Sequence, residues 1–334
     1  MTAIGAAGTF NNARYFEGIM TGHYESYFLR ANHPSRALAF WIRYTVFVPR
    51  GRPDRAVGEL WATWFDGETG KHLSVKEERP LPEFSLGADM LDVRIGSATL
   101  VPGRLKGAAS LGGHTVAWDL RYDGDEAPLF LFPLSLYDTK LPKAKSLVGL
   151  PGALFSGSVT VDGTTHGIDV WKGSQNHNWG SKHTDDYAWG QVAGFDNAPG
   201  SFLELATARI KIGPVWSPWM TLVVLRHEGR EFALNTIGRS LRARGRFGRF
   251  FWNFSSEDGH ARIEGEIKSN LGSFVGLTYH NPPGGDKFCL NCKIAYCRLT
   301  LSRSGEKPVV LETAHRAAFE ILTDDPGHGV PMYV

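Results

Sequence analysis

Cysteine is scarce in this chain, three residues in 334. An odd count at this length argues against a disulfide framework and for a reducing compartment. An excess of one charge is lacking too: 36 Lys and Arg against 34 Asp and Glu leave a formal net charge of +2. That balance lacks the basic footprint of a nucleic-acid binder, so no nucleic acid is expected as partner. No stretch approaches the ~18 uncharged apolar residues that span a bilayer as a helix. The N-terminal MTAIGAAGTFNNARYF has neither a basic n-region nor a continuous apolar core, so no signal peptide is expected, and the expected location is cytoplasmic. Phosphate-binding glycine loops, a GxSxG elbow and an HExxH helix are also missing, which removes the commonest nucleotide, hydrolase and metalloprotease chemistries. Neither a cofactor nor a metal is expected.

What is present is aromatic and strand-like. Ten Trp imply large apolar surfaces to be lined as well as filled. In HTVAWDLRY, Val116, Trp118, Leu120 and Tyr122 share one face and Thr115, Ala117, Asp119 and Arg121 the other. AFWIRYTVFV and AVGELWATWF are apolar or aromatic on both faces, as in strands covered on both sides. SVTVDGTTHGIDV and LVVLRHEGREFAL each read as a hairpin around a D-G or E-G turn. The one helical candidate is ETAHRAAFEIL, residues 312–322, where a strand remains open. Many short strands with regular turns predict an all-β, antiparallel sandwich or barrel with few helices, and the length favours two units. The boundary is expected between Lys182 and Tyr187, giving residues 1–183 and 184–334.

The densest stretch is GSQNHNWGSKHTDDYAWGQVAGFD, residues 173–196. In YAWGQVAGF, Tyr187, Trp189, Gln191, Ala193 and Phe195 fall on one face, while the other receives Ala188, Gly190, Val192 and Gly194. An aromatic and polar face opposite a smooth one fits the wall of a barrel lumen holding an apolar ligand, with Gln191 as one orienting hydrogen-bond partner. Ordinary core packing would give the same pattern. NHNWG reads as a loop: Asn176 and Asn178 can close Asx turns and Gly180 allows a positive φ. His177 is either a satisfied turn histidine or a proton-transfer group. Trp179, in the same loop, is expected to be structural first.

The run GSQNHNWG followed by YAWGQ resembles the signature of the tocopherol cyclase / carotenoid 1,2-hydratase-like proteins. That superfamily also takes in lipocalin-like proteins of unknown role and fungal Diels–Alderases. The resemblance implies two consecutive lipocalin-like (calycin) β-barrels or half-open sandwiches. It also implies an apolar isoprenoid, quinone or polyene as ligand. Fold is implied with more force than function.

Cyclisation or hydration of an alkene needs a proton donor, a cavity that controls water and π faces for developing positive charge. A donor carboxyl near neutral pH must be buried. Glu204 in SFLELATA and Glu59 in AVGELWATWF, next to Trp61, stand inside apolar strands, and either could instead be an outward-facing charge. Asp185 and Asp186 flank the signature. The preferred catalytic set is Glu204, Asp186 and His177. The expected ligand contacts are Tyr187, Trp189, Gln191, Trp179, Asn176, Asn178, Glu59 and Trp61.

Three other features compete. Cys289, Cys292 and Cys297, with His280 upstream, form an incomplete ligand spacing, and small buried residues explain them as well. RSLRARGRFGRF carries five Arg between Arg239 and Arg249, either a solvated strand face or a peripheral contact to an anionic membrane. Trp216 and Trp219 either cap a barrel mouth or join a core. The leading expectation is a cofactor-independent cyclase/isomerase or hydratase/lyase. The competing readings are a non-catalytic lipid carrier and an anion-binding adaptor acting through the Arg run.

Overall fold

The computed structural model describes residues 9–334; the first eight, half of the N-terminal stretch read above, lie outside the described residues. The structure is 60% strand and 6% helix, so the all-β, antiparallel class holds. No helix among the described residues is long and apolar enough to cross a membrane.

The first sheet has 12 strands. It runs through β1 (His23–Asn32), β2 (Leu38–Val48), β3 (Val57–Asp66), β4 (Leu73–Pro80), β5 (Phe84–Leu86) and β6 (Val93–Ile95). It continues with β7 (Ala98–Val101), β8 (Arg104–Leu111), β9 (His114–Asp123), β10 (Leu129–Phe130), β11 (Ala144–Val161) and β12 (Thr164–Gly180). Spatial order runs β4-β3-β2-β1-β12-β11-β9-β8-β7-β6-β5, with β12 joining β1 and β10 pairing with β11 off this path. Contacts of β4 with β8 and β9 curl the sheet around a core that includes Phe40, Tyr44, Trp64, Trp118 and Phe155.

The second sheet has 10 strands. Its members are β13 (Asp186–Ala193), β14 (Phe202–Arg209), β17 (Met220–His227), β18 (Arg230–Leu234), β19 (Arg244–Gly248) and β20 (Phe251–Glu257). They are completed by β21 (Ala261–Lys268), β22 (Val275–His280), β23 (Asp286–Arg303) and β24 (Val309–Thr323). A separate two-stranded hairpin, β15 (Lys211–Ile212) and β16 (Val215–Trp216), stands between β14 and β17. Residues 181–185 connect the last strand of the first sheet to the first strand of the second.

Strand parity explains why the sequence of β1–β3 is apolar on both faces. Tyr27, Leu29, Phe40, Ile42, Leu60 and Ala62 fill the first barrel, while Phe28, Trp41, Trp61 and Phe65 join the core cluster of the second sheet. One face stabilises its own barrel and the other docks the two sheets together. Both expected hairpins form. Each turns through two residues of positive φ, Asp162 (46°) with Gly163 (83°) and Glu228 (51°) with Gly229 (70°), the conformation whose twist matches paired strands.

Two local expectations are corrected. ETAHRAAFEIL is strand, inside β24 between β23 and β13, because the gap between two central strands outweighs the helix preference of its Ala and Glu. The α-helix of the structure is a short segment elsewhere, Ile237–Arg242. NHNWG is strand as well, inside β12 and paired on both sides. Gly180 has no positive φ; its need is closeness, since a Cβ there would lie 2.3 Å from the Lys143 carbonyl oxygen.

Candidate functional site

The barrel interiors are packed, and the expected lumen does not hold the cavity. In β13 the small residues face inward: a Cβ on Gly190 would meet Ile267 Cδ1 at 2.7 Å and Trp252 at 3.0 Å. Tyr187 and Trp189 therefore face outward, toward the first sheet. There they line a cavity of about 150 Å³ with Phe28 and Trp41 of β1 and β2. A cavity of roughly this size accepts one benzene-like ring, so a longer ligand must extend out of it.

Glu204 of β14 lines this cavity and is 2% exposed. It lies opposite Gln191 in the pairing of β13 with β14. Trp189 Nε1 donates to its Oε1 at 2.7 Å and Gln191 Nε2 to its Oε2 at 2.9 Å. The Gln191 amide has only one workable orientation. Its oxygen accepts from Arg30 Nε (2.7 Å) and Ser174 Oγ (2.7 Å), and a guanidinium can only donate. Its nitrogen must then face Glu204 and Asn176 Oδ1 (2.8 Å). Burial pushes the Glu204 carboxyl up to about 7, against the hydrogen bonds from Trp189 and Gln191 and the charge of Arg30, which pull it down. Near neutral pH the group is thus present both as acid and as carboxylate.

A second carboxyl, Glu320 of β24, also lines the cavity, held by Lys293 Nζ at 2.5 Å. Lys293 is fully buried, its ammonium pushed down by burial, and it lies 5.3 Å from the Trp189 ring centroid and 5.7 Å from that of Trp41. Three further cavity residues, Arg43, Lys145 and His183, carry charge or could carry it. Arg43 of β2 is 4% exposed. His183, stacked on Tyr24 at 4.0 Å, is held down to about 3 by burial and by Arg43, which leaves it neutral.

No family model matches the chain. The uncharacterized protein Rv0493c of Mycobacterium tuberculosis is 26% identical over 295 residues, covering 88% of this chain and 85% of the relative. Among solved structures, an AttH candidate from Nitrosomonas europaea superposes with a TM-score of 0.57 at 13% identity, over 95% of each chain. Kievitone hydratase from Nectria haematococca gives 0.53 at 13% identity and CghA 0.53 at 10%, again over 95% of each chain. At these identities the likeness establishes the fold. It is the lipocalin-like architecture in two sheets, shared with at least one hydratase.

The structure brings Glu204, Tyr187, Trp189, Asn176 and Asn178 to the cavity wall and places Gln191 directly behind Glu204. Others lie elsewhere. His177 is on the opposite face of β12, its Nε2 2.8 Å from Glu25 Oε1 and its Nδ1 2.9 Å from the Phe10 carbonyl oxygen. Trp179 shares that face and packs on Tyr137 and His177. Asp186 pairs with Arg209 at 2.9 Å outside the cavity. Glu59 accepts from Trp61 Nε1 (3.1 Å) and pairs with Lys76 (2.9 Å), behind the cavity wall. Cys289, Cys292 and Cys297 are buried free thiols. Arg244 and Arg246 are exposed on the edge strand β19, whose Phe247 packs edge-on against Trp219 at 5.3 Å. Neither Trp216 nor Trp219 is core: Arg209 lies 4.2 Å over the first and 4.4 Å over the second.

Sequence reasoning missed Glu320, Arg43, Arg30 and Lys293. Glu320 had a signal, since AAFEIL repeats the pattern of FLELAT: one carboxylate in an apolar strand. It was hidden by the helical reading of its segment.

Proposed function

We propose that this protein is a cofactor-independent enzyme of the hydratase or cyclase type, acting on an isoprenoid, quinone or polyene, with Glu204 as proton donor. The observation that carries the reading is the Glu204 carboxyl itself: buried at an aromatic cavity, oriented from both oxygens and poised near neutral pH. In the proposed step a substrate double bond takes the Glu204 proton, its π electrons forming the new C–H bond. The cation left on the neighbouring carbon faces Phe28, Trp41 and Trp189. Attack by water, with its proton passing to the carboxylate, completes a hydration. Attack by another double bond of the same molecule closes a ring, and loss of a proton restores the acid. The likeness to kievitone hydratase supports the reading at the level of fold.

The test is turnover of a panel of apolar alkenes by wild-type protein and Glu204→Gln, with binding followed by tryptophan fluorescence. Product that disappears in Glu204→Gln supports the enzyme. Ligands bound by the wild type and released unchanged support the carrier reading instead.

The same proposal includes a peripheral contact with an anionic lipid surface. The hairpin between Ile210 and Met220, both on the cavity wall, exposes Ile212 and Val215 by 64% and 65%, and Trp219 after it packs edge-on at 5.3 Å against Phe247 of the arginine-bearing strand β19. Co-sedimentation with phosphatidylserine-containing but not phosphatidylcholine vesicles is the expected result, and its absence removes the contact.

A further inference from the structure

Arg43 is a buried cation that no carboxylate touches. Its Nε and Nη2 both donate to Ser26 Oγ, at 2.9 and 2.7 Å, and Ser26 in turn bonds Thr45 at 2.9 Å. Its guanidinium carbon lies 4.5 Å from the Tyr279 ring centroid. Nη1 has no hydrogen-bond partner among the described residues, although the side chain is 4% exposed and lines the cavity. Burying a guanidinium costs several kcal/mol unless an anion or acceptors meet it. Ser26 is one acceptor for a fork with five donors. Another cavity cation is in the same position: Lys145 Nζ is bonded to the Thr139 and Pro142 carbonyl oxygens, at 2.7 and 3.0 Å, and to no carboxylate. The two carboxyls of the cavity are engaged elsewhere, Glu204 with Trp189 and Gln191 and Glu320 with Lys293.

The spacing along β1 relates this cation to the acid. Ser26, Phe28 and Arg30 follow one another on one face of the strand, and neighbours on a face are about 7 Å apart. Ser26 holds Arg43, Phe28 meets Trp189 edge-on at 5.9 Å, and Arg30 holds Gln191. Arg43 itself pairs with Phe28, but its guanidinium reaches back to Ser26, so Glu204, bonded to Trp189 and Gln191 at the levels of Phe28 and Arg30, lies one to two repeats beyond that guanidinium.

We infer that the cavity takes a substrate with an anionic oxygen, a carboxylate or an acidic phenol or enol, received by Arg43, with its reacting double bond one to two strand repeats away beside Glu204. The inference rests on the reading of Glu204 as proton donor for the second half and on the unpartnered guanidinium alone for the first. It narrows the substrate from any apolar polyene to an amphiphile whose acidic head and alkene are roughly 7–14 Å apart.

The test uses trans-stilbene-4-carboxylate and its methyl ester, a rigid ring and alkene that differ in one charge. Their binding to the whole protein is titrated by tryptophan quenching. The wild type is expected to bind the acid about 10- to 100-fold more tightly than the ester, the range of one charge-assisted contact. Arg43→Met is expected to bring the ratio close to one, and Arg43→Lys to keep part of it. The wild-type ratio alone decides should Arg43→Met not fold. Equal binding of acid and ester, tighter binding of the ester, or no binding of either overturns the subsite. Glu204→Gln should keep the acid preference, because it leaves Arg43 in place. If that preference holds while a turned-over substrate reacts equally well with and without Glu204, the proton-donor reading falls and the subsite stands.

Discussion

The first barrel and the space between the two sheets are both deeply buried, and they are built on opposite principles. The barrel is filled by side chains such as Phe155, Trp118 and Tyr44, with the few polar ends paired, as where Trp118 Nε1 donates to the Tyr44 hydroxyl at 2.8 Å. The inter-sheet space holds Arg30, Arg43, Glu204, Lys293 and Glu320 within the same degree of burial. Close packing stabilises without chemical consequence, whereas buried ionisable groups cost stability and supply reactivity. In this molecule the buried ionisable groups gather mainly at the seam, where the proposed chemistry lies, although the buried Glu25–His177 pair stands on the barrel face of β1 and β12.

The change expected to break the comparison hardest is Glu204→Gln. Removing a positioned acid should lower turnover about 10²- to 10⁴-fold, read as kcat on any substrate the panel yields. The folded state should persist in the same preparation by circular dichroism. A Glu204→Gln variant as active as the wild type would mean that the seam is packing too.

Next in size is Phe155→Ala, in the other region. Phe155 is fully buried, edge-on to Phe40 at 5.4 Å. Its truncation should destabilise by about 3–5 kcal/mol in urea titration, while the folded fraction binds ligand as before. Loss of ligand affinity without loss of stability would show that the lumen takes part in recognition.

The pH dependence of stability sharpens the distinction. Glu204 is raised from the usual 4.5 to about 7 in the folded state, so the folded chain binds this proton more tightly than the unfolded one. Its contribution is fully present below about pH 4.5, declines as pH rises and is gone above about 7, a change of roughly 3 kcal/mol. Urea titrations across that window should show this fall in the difference between the wild type and Glu204→Gln, since His183, held neutral by burial, contributes the opposite slope to both. A wild type whose stability changes across that window just as that of Glu204→Gln does would place the carboxyl in water.

The smallest effect is expected from Trp189→Phe, which keeps the aromatic wall and deletes one donor to the carboxylate. The Glu204 carboxyl should rise further, moving the alkaline limb of the pH–activity profile upward by about one pH unit. An unmoved limb would mean that another group sets it.

The strand architecture was legible because period-two alternation and D-G or E-G turns are local signals, as in β9 and the β11–β12 turn. Glu204 was legible for the same reason, a lone carboxylate in an apolar strand. The location of the cavity was not. Whether Tyr187 and Trp189 face a lumen or a seam depends on which side of β13 meets Ile267 and Trp252, a long-range fact with no local trace. The same holds for Arg30 and Arg43, which look like ordinary strand charges until the docking partner of β1 and β2 is known. Asn and Gly misled in NHNWG because both are turn formers. Here Asn176 serves a hydrogen-bond network and Gly180 a close strand contact.

Arg30 belongs to the first sheet and the amide it orients to the second. The state of the Glu204 carboxyl therefore measures how well two separately built sheets stay in register. A small rigid-body separation would release the Gln191 amide from Arg30 and Ser174 and admit water to the carboxyl, with every strand still intact. Heat should accordingly silence such a protein before it melts, and the gap between the two temperatures would be a direct reading of the breathing at the seam.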